Sequence, residues 1–404
     1  MMDFKNSKTK AEALGALFEK CAPQKQIEIV PISEAICRVP AQDIYSCNTL
    51  PFERASMMDG IAVSSGFFKN GMPDTTGWTE GKEYTRADTG DDFDDRYDAV
   101  IAIENVSYDE LGRIKLNDEL MVKEGTGVKK RGSLIKEGNC VLKDRMIIRP
   151  SDLAALALGG IDKVPVIKKP VAAFIPTGSE LVPAGTKPHR GQNVDSNSIM
   201  AKYMLLEMGA EPLCYPIVKD NPKDIKAALE KSLKEADIII INGGSSKGEE
   251  DFTTRVMKSC GEVLLHGVTA GPGRPMSLAV VQGKPVINLS GPSVAAYYGL
   301  DWCIRAIVSR FLGLPMIKRQ RVTAVLTENM SCPKFISFLC KMNVEKAEDG
   351  TYLAAPVPFK TAGIGICLGT NGQFVSEIGE GDYKKGDAID IELLCSEEFI
   401  LERV

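Results

Sequence analysis

Apolar side chains recur at three- and four-residue spacing over residues 11–21 (Leu14, Leu17, Phe18, Cys21), the period of an amphipathic helix. Residues 27–31 read as a strand and residues 32–38 as a short helix. From Cys47 to Asp144 the apolar runs are short (Ile61-Ala-Val, Ala99-Val-Ile-Ala-Ile, Val141-Leu) among dense Gly, Asp, Thr and turn dipeptides, which predicts a mostly β segment. Alternation over residues 98–104 and 113–116, with Asp109-Glu-Leu-Gly between, predicts a β-hairpin there. Residues 150–161 carry Leu153, Leu156 and Ala157 on one face and end in Gly159-Gly160, a helix with a glycine stop.

A different rhythm starts at Val171. The all-apolar Val171-Ala-Ala-Phe-Ile predicts a buried strand, followed by a helix over 196–208, a strand over 213–218, a helix over 224–234 and a strand over 237–241. Strands alternating with helices of this length form βαβ units on a parallel sheet. Residues 297–311 read as a closing helix that Gly313-Leu-Pro ends, and from Arg319 onward short strands return with glycine-rich turns. The pattern therefore divides the chain into residues 1–46 with 145–169, a β-rich insertion at 47–144, an α/β domain at 170–317 and a small C-terminal β-domain at 318–404.

Composition narrows the function classes. Lys plus Arg number 49 against 54 for Asp plus Glu, a formal net charge of −5, where phosphate-neutralising nucleic-acid binders carry a basic surplus. No apolar stretch approaches the ~18 residues of a membrane span, and the N-terminal residues show no signal-peptide apolar core. Eleven scattered cysteines without a C-x-x-C pair, and only two histidines, read as reduced thiols of a cytoplasmic protein and not as a zinc shell.

In an open parallel sheet, ligands bind beyond the carboxyl ends of the strands. Three loops leave such ends: Thr177-Gly178-Ser-Glu180, Gly243-Gly244-Ser245-Ser246-Lys-Gly248-Glu-Glu-Asp251, and Leu289-Ser290-Gly-Pro-Ser293. Glycines that let main-chain N–H groups converge before a helix N-terminus make an anion-binding concavity, although the same glycines also serve tight turns. Gly244 to Gly248 satisfies G-x-S-x-G, but His266, the one downstream histidine, follows too closely for a nucleophile elbow and its triad. Glu180, Asp195 and Asp251 sit on or near these loops and Asp59 lies in Met57-Met-Asp-Gly60. Carboxylates beside an anion nest fit a divalent cation bridging to phosphate, and equally fit helix N-capping. The six aspartates between Asp88 and Asp98 read as a solvated loop. Gly271-Pro-Gly-Arg274-Pro displays one guanidinium fork, and Lys129-Lys-Arg131 is a second local positive charge.

Taken in order, these motifs resemble those of the molybdopterin molybdenumtransferase family, the MoeA and gephyrin E-domain proteins. Ser56-Met-Met-Asp-Gly-Ile-Ala-Val63 is similar to S-A-M-D-G-Y-A-V, Lys129-Lys-Arg-Gly132 to R-R-x-G, and Thr177-Gly-Ser-Glu-Leu181 to T-G-D-E-L. Gly191-Gln-Asn-Val-Asp195-Ser-Asn197 resembles G-x-I-x-D-[ST]-N, the loop from Gly243 to Asp251 resembles G-G-[VT]-S-x-G-x-x-D, and Gly271 to Pro275 resembles K-P-G-K-P.

The resemblance implies an elongated, four-domain subunit that dimerises, with a MogA-like doubly wound α/β domain, a β-rich inserted domain and a small β-barrel-like C-terminal domain. It implies insertion of molybdate into adenylated molybdopterin, with Mg2+-dependent hydrolysis of the adenylate and release of AMP, at a site where the α/β domain meets the β-rich domain of the other subunit. Carried over motif by motif, Asp59, Glu180 and Asp251 are the functional, metal-binding carboxylates. Thr177, Gly178, Asp195, Asn197, Gly243, Gly244, Ser245, Ser246, Gly248 and Ser290 contact the pterin substrate, while Lys129 and Arg274 hold anionic groups. A molybdopterin adenylyltransferase and recipient apo-molybdoenzymes are the implied partners.

The chain departs from the family pattern at Ser133-Leu134, where Glu-Asp is usual, at Gly271 and Arg274 in place of two lysines, at Lys247, and at Ser290 within L-P-G-N-P. Those departures suit an alternative, a non-catalytic paralogue that binds a pterin or nucleotide or scaffolds partner enzymes.

Overall fold

The computed structural model describes residues 7–23, 25–244, 252–316, 318–358 and 370–400. It forms two units, one made of residues 27–167 and the other of the chain before and after them.

In the unit of residues 27–167, Ile27–Pro31 pairs antiparallel with Lys163–Ile167. The helix Pro150–Leu158 closes a core of Val30, Ile44, Leu142, Leu156 and Val166. Proline opens this helix, where its missing N–H has no partner to lose, and Asp152 accepts from the Arg149 N–H at 2.8 Å. Gly160, at φ +76°, turns the chain out of it. The helix expected over residues 32–38 is only a 3-10 turn, Ile32–Glu34, because Cys37 adopts a left-handed φ of 58°.

The β-rich part is built on a three-stranded sheet with Gly60–Val63 between Tyr84–Ala87 and Ala99–Ala102. Ile61 and Val63 face one core with Ile101 and Ile114, and Ala62 faces another with Phe93, Tyr97 and Val100. The expected hairpin is corrected by this pairing. Ala99–Ala102 is taken by Gly60–Val63, and Ile114–Leu116 pairs instead with Val106–Tyr108.

The other unit holds a six-stranded sheet in the order Glu211–Cys214, Val171–Pro176, Ile238–Asn242, Lys284–Leu289, Ser277–Val281, Glu262–His266. The first four strands run parallel, and the last two pair antiparallel with their neighbours. Ile175, Ile239, Ile241 and Val286 pack against helices Pro222–Glu235 and Phe252–Cys260. The alternate residues Phe174, Ile240 and Ile287 are equally buried, so the central strands read as unbroken apolar runs. Helices Asn197–Glu207 and Ser293–Gly299 also pack on this sheet. The strand expected over 213–218 starts and stops earlier, at Glu211–Cys214, and the chain meets its neighbour again at Val218, whose N–H donates to the Pro176 carbonyl at 2.8 Å.

The closing helix begins four residues before its expected start. It runs as Ser293–Gly299, a π-helical stretch Leu300–Ile304, and Arg305–Leu312, and stops at Gly313 with φ +67°. Helix Lys10–Lys20 carries a capping box between Thr9 and Glu12 and packs on strands Glu262–His266 and Ser277–Val281.

At the C-terminal end, Ser337–Lys346, Tyr352–Pro356, Arg321–Leu326, Ala388–Leu393 and Gly372–Val375 form a sheet whose first and last strands also pair, closing a small barrel. Its interior holds Val322, Leu326, Met342, Val344, Ala354 and Ile391. Among the described residues, no helix is long and apolar enough to cross a membrane.

Candidate functional site

Val171–Pro176, Ile238–Asn242 and Lys284–Leu289 are three adjacent parallel strands, so the loops that leave their carboxyl ends lie side by side. The Thr177 N–H donates to the Asn242 carbonyl at 2.9 Å, and the Gly243 N–H donates to the Leu289 carbonyl at 3.0 Å. This crossing brings backbones so close that a Cβ on Gly243 would lie 2.3 Å from the Thr177 oxygen. A Cβ on Gly244 would meet Thr253 Oγ1 at 2.2 Å, and both glycines have positive φ. Only glycine fits either position.

Beneath the loops is a buried amide network. Asn197, in the first turn of its helix, donates from Nδ2 to Asn242 Oδ1 and to the Gly291 carbonyl, both at 2.8 Å. Asn242 Nδ2 donates to the Ser290 carbonyl at 2.9 Å. Two asparagines thus tie the second and third loops to the helix Asn197–Glu207. Asp195 takes the capping role, accepting from the Ser198 N–H at 3.0 Å and the Ser198 hydroxyl at 2.6 Å. The Ser290 hydroxyl donates to the Pro275 carbonyl at 3.3 Å and is buried, which anchors the Arg274 turn beside the third loop.

Glu180 is exposed, with both carboxylate oxygens 2.9 Å from where a Cβ on Gly178 would stand. Asp220 follows the first strand of this sheet edge. Its main-chain N–H donates to Ser179 Oγ at 3.3 Å, and its Oδ1 would lie 3.4 Å from a Gly244 Cβ. Arg274 stacks on the Phe335 ring at 5.1 Å, and burial pulls its guanidinium below the ordinary arginine range. Gly271 lies in a short strand paired with Ser337–Phe338, and a Cβ there would stand 2.7 Å from Ile336 Cδ1. A larger residue at 271 requires the Ile336 side chain to shift.

In the unit of residues 27–167, Ala55–Ser56 pairs with Val128–Lys129, placing exposed Lys129 on the strand next to the segment that leads to Asp59. One Asp59 carboxylate oxygen accepts from both the N–H and the hydroxyl of Thr89, at 2.7 and 2.8 Å. These bonds, with a further pull from Arg86, hold the Asp59 carboxyl below the usual carboxylate range. Gly60 follows because a Cβ there would stand 1.9 Å from the Ile101 oxygen. The aspartate-rich run is exposed but more ordered than a plain solvated loop. Asp95 pairs with Arg54 at 3.0 Å and Asp98 accepts from the Ser65 N–H at 2.6 Å. Leu134, where the family motif carries an acid, is 64% exposed.

Thr177, Gly178, Glu180, Asp195, Asn197, Gly243, Gly244 and Ser290 are therefore gathered at one end of one sheet, with Arg274 on the turn tied to Ser290. Asp59 and Lys129 belong to the other unit. Ser245, Ser246, Gly248 and Asp251 lie outside the described residues. The sequence reading missed Thr89, Asn242 and Asp220. Asn242 could have been found as a polar residue ending an otherwise apolar strand, and Asp220 as the acid of Asp220-Asn-Pro beyond a strand end. Nothing in the sequence marked Thr89 as the partner of a residue thirty positions away.

Comparison with known proteins agrees with this architecture. Residues 8–160 match the model for the MoeA N-terminal region (domain I and II), and residues 173–310 match a probable molybdopterin binding domain. A putative molybdopterin biosynthesis protein of Methanocaldococcus jannaschii is 28% identical over 94% of this chain and 96% of its own length. The molybdopterin molybdenumtransferase of Bacillus subtilis is 27% identical over 94% of this chain and 92% of its own. Two structures of a molybdopterin biosynthesis MoeA protein from Pyrococcus horikoshii, each 25% identical, superpose with TM-scores of 0.79 and 0.74. They cover 97% and 96% of this chain and all of theirs.

Proposed function

We propose a function from one premise: the chain belongs to the MoeA family of molybdopterin-biosynthesis proteins. It is a molybdopterin molybdenumtransferase of molybdenum cofactor biosynthesis, which inserts molybdate into adenylated molybdopterin and releases AMP. The observation that carries this reading is the row of three adjacent strand ends, where Gly243 brings bare main chain up to Thr177 and Gly244 up to Thr253. Such a surface lets a phosphate come close to the main chain with no side chain in the way.

In this reading the adenylate phosphate rests on the glycine loop after Ile238–Asn242, while the Asn197–Asn242 amide pair fixes that loop against the helix N-terminus. Hydrolysis adds water across the phosphoanhydride and releases AMP, and molybdate is transferred to the pterin dithiolene. The Arg274 guanidinium, turned into place by the Ser290–Pro275 bond, offers an oxyanion its planar fork. Asp59 stays ionised because Thr89 donates twice to it, which suits a carboxylate that works as a base or a cation ligand.

Magnesium fits the donors present. Glu180 and Asp220 supply hard oxygen atoms beside the phosphate loop, and Mg2+ keeps several waters while sharing substrate phosphates. Among the described residues no group of three His, Cys, Asp or Glu gathers, so such an ion would depend on the substrate for part of its shell. When bound, it supplies charge neutralisation on the phosphate.

The family resemblance further supports a homodimer, a cytoplasmic location, and exchange with a molybdopterin adenylyltransferase and recipient apo-molybdoenzymes. The test is anaerobic incubation of the protein with adenylated molybdopterin, magnesium and molybdate. AMP release and activation of an apo-molybdoenzyme are expected, and both should fall at least tenfold in Glu180→Gln with sedimentation unchanged. Tight pterin binding with neither signal would overturn the assignment.

A further inference from the structure

The C-terminal barrel contains a second, unrelated piece of chemistry. Cys332 and Cys340 face each other with their sulfur atoms 3.4 Å apart. Cys332 follows the short strand Met330–Ser331 and is fixed by its N–H donating to the Gly381 carbonyl at 2.7 Å. Cys340 lies within Ser337–Lys346, opposite Phe374 on the neighbouring strand. The two thiols are thus presented by separately anchored segments.

We propose that Cys332 and Cys340 form a dithiol modification site that a small hydroperoxide converts to an intramolecular disulfide. Closing the gap to a bond of about 2.04 Å takes roughly 1.4 Å of combined sulfur movement, within reach of side-chain rotation. A cavity of about 210 Å³, lined by Met330, Phe338, Cys340, Lys341 and Pro356, opens at the Cys340 side of the pair. It admits molecules of water or peroxide size, at about 30 Å³ each.

The pair is also polarised. Hydrogen bonding from Cys340, and less so from Ser376, holds the Cys332 thiol below its ordinary range against the effect of burial. The same bond and burial push Cys340 up. One sulfur of the pair attacks the peroxide and the other resolves the product. The attacking thiolate bonds one peroxide oxygen, the O–O bond breaks, and the hydroxide released takes a proton to become water. The first sulfur is left as a sulfenic acid. The second sulfur then attacks the first, the S–O bond breaks, and the departing hydroxide leaves as water with the second thiol's proton. Two thiols are oxidised by two electrons and one peroxide is reduced to two waters.

The experiment uses the reduced full-length protein, a small molar excess of hydrogen peroxide, a maleimide quench and tryptic mapping. Trypsin cuts after Lys334, so the disulfide joins two peptides that dithiothreitol separates. That crosslink is expected to form before exposed Cys37, Cys47, Cys140 and Cys214 are consumed, and the oxidised protein should unfold at a higher temperature than the reduced one. In Cys340→Ser the upward shift should vanish. Maleimide on both Cys332 and Cys340 after the exposed thiols have oxidised would overturn the proposal, and this readout needs no variant to fold.

Discussion

Gly243 is where the smallest possible change should do most damage. Its Cβ would stand 2.3 Å from a backbone oxygen that cannot move without breaking the Thr177–Asn242 crossing. Gly243→Ala should therefore destabilise by about 1–3 kcal/mol and abolish AMP release, checked by urea titration and the adenylate assay. Asp59 makes a subtler case. Thr89 donates two bonds to it, Arg86 adds attraction, and the carboxyl sits below its ordinary value of 3.8, with Asp88 and Asp91 the nearby acids in the same loop. A depressed carboxyl stays ionised as pH falls, so the wild-type activity should hold to low pH. Thr89→Val keeps the main-chain donor and removes the hydroxyl, and the acid limb of the pH–activity profile should move up. An unmoved limb would remove Asp59 ionisation from the mechanism. The glycine loops were legible in the sequence because they directly follow apolar strands. Thr89 was not legible, because a hydrogen bond across thirty residues leaves no local pattern. Ser290 was legible only as a polar loop residue, and its use on the Pro275 carbonyl is a tertiary fact.

Elements with their own caps and periodicity were readable, and elements defined by a distant partner were not. Helix Lys10–Lys20 is of the first kind. The Glu12 carboxylate accepts from the Thr9 N–H at 2.8 Å, and Thr9 Oγ1 accepts from the Glu12 N–H at 3.3 Å, so the start is coded within four residues. Thr9→Ala should cost about 1 kcal/mol and lower the thermal midpoint by about 2–4 °C, without changing turnover. Scanning calorimetry beside the AMP assay checks both halves. The β-rich insertion is of the second kind. Ala99–Ala102 alternates as a hairpin strand would, yet its partner Gly60–Val63 comes from about forty residues earlier, and the local hairpin forms one strand later. Periodicity specifies which face a strand buries, not which strand it meets. The Glu211–Cys214 strand shows the same limit at an end, where the regular pairing stops before the apolar pattern stops.

Within the larger unit, the α/β sheet and the C-terminal barrel are joined through a buried network centred on Asp301. Asp301, in the π-helical stretch of the closing helix, accepts from Arg319 Nη1 at 2.9 Å and from the second Arg319 nitrogen, from Arg305 Nε at 3.3 Å, and from Gln373 Nε2 at 3.4 Å. Gln373 also donates to Glu392 at 3.1 Å and accepts from Tyr297 at 3.1 Å and Lys341 at 3.3 Å, so helix and barrel share one network. Burial pushes the Asp301 carboxyl up, but Arg319 and then Arg305 outweigh it, and the net displacement is downward. A folded-state carboxyl held below its unfolded value of about 3.9 contributes stability above that value, and the contribution is lost as pH falls through the folded one. Asp301→Asn removes the anion and leaves two guanidinium groups facing a neutral amide, with Glu392 still against Arg319 at 3.6 Å and Glu207 against Arg305 at 3.3 Å. Breaking a buried pair from one side costs about 3–5 kcal/mol, and these remaining acids hold the loss here below that range. At pH 7 the variant should therefore unfold at markedly lower denaturant than wild type. As pH drops below about 4 the wild type surrenders the same interaction by protonation, so the two midpoints should converge. Denaturant titrations from pH 7 down to 3 test this directly, and a gap that stays constant with pH would mean that Asp301 acts through packing and not through its charge.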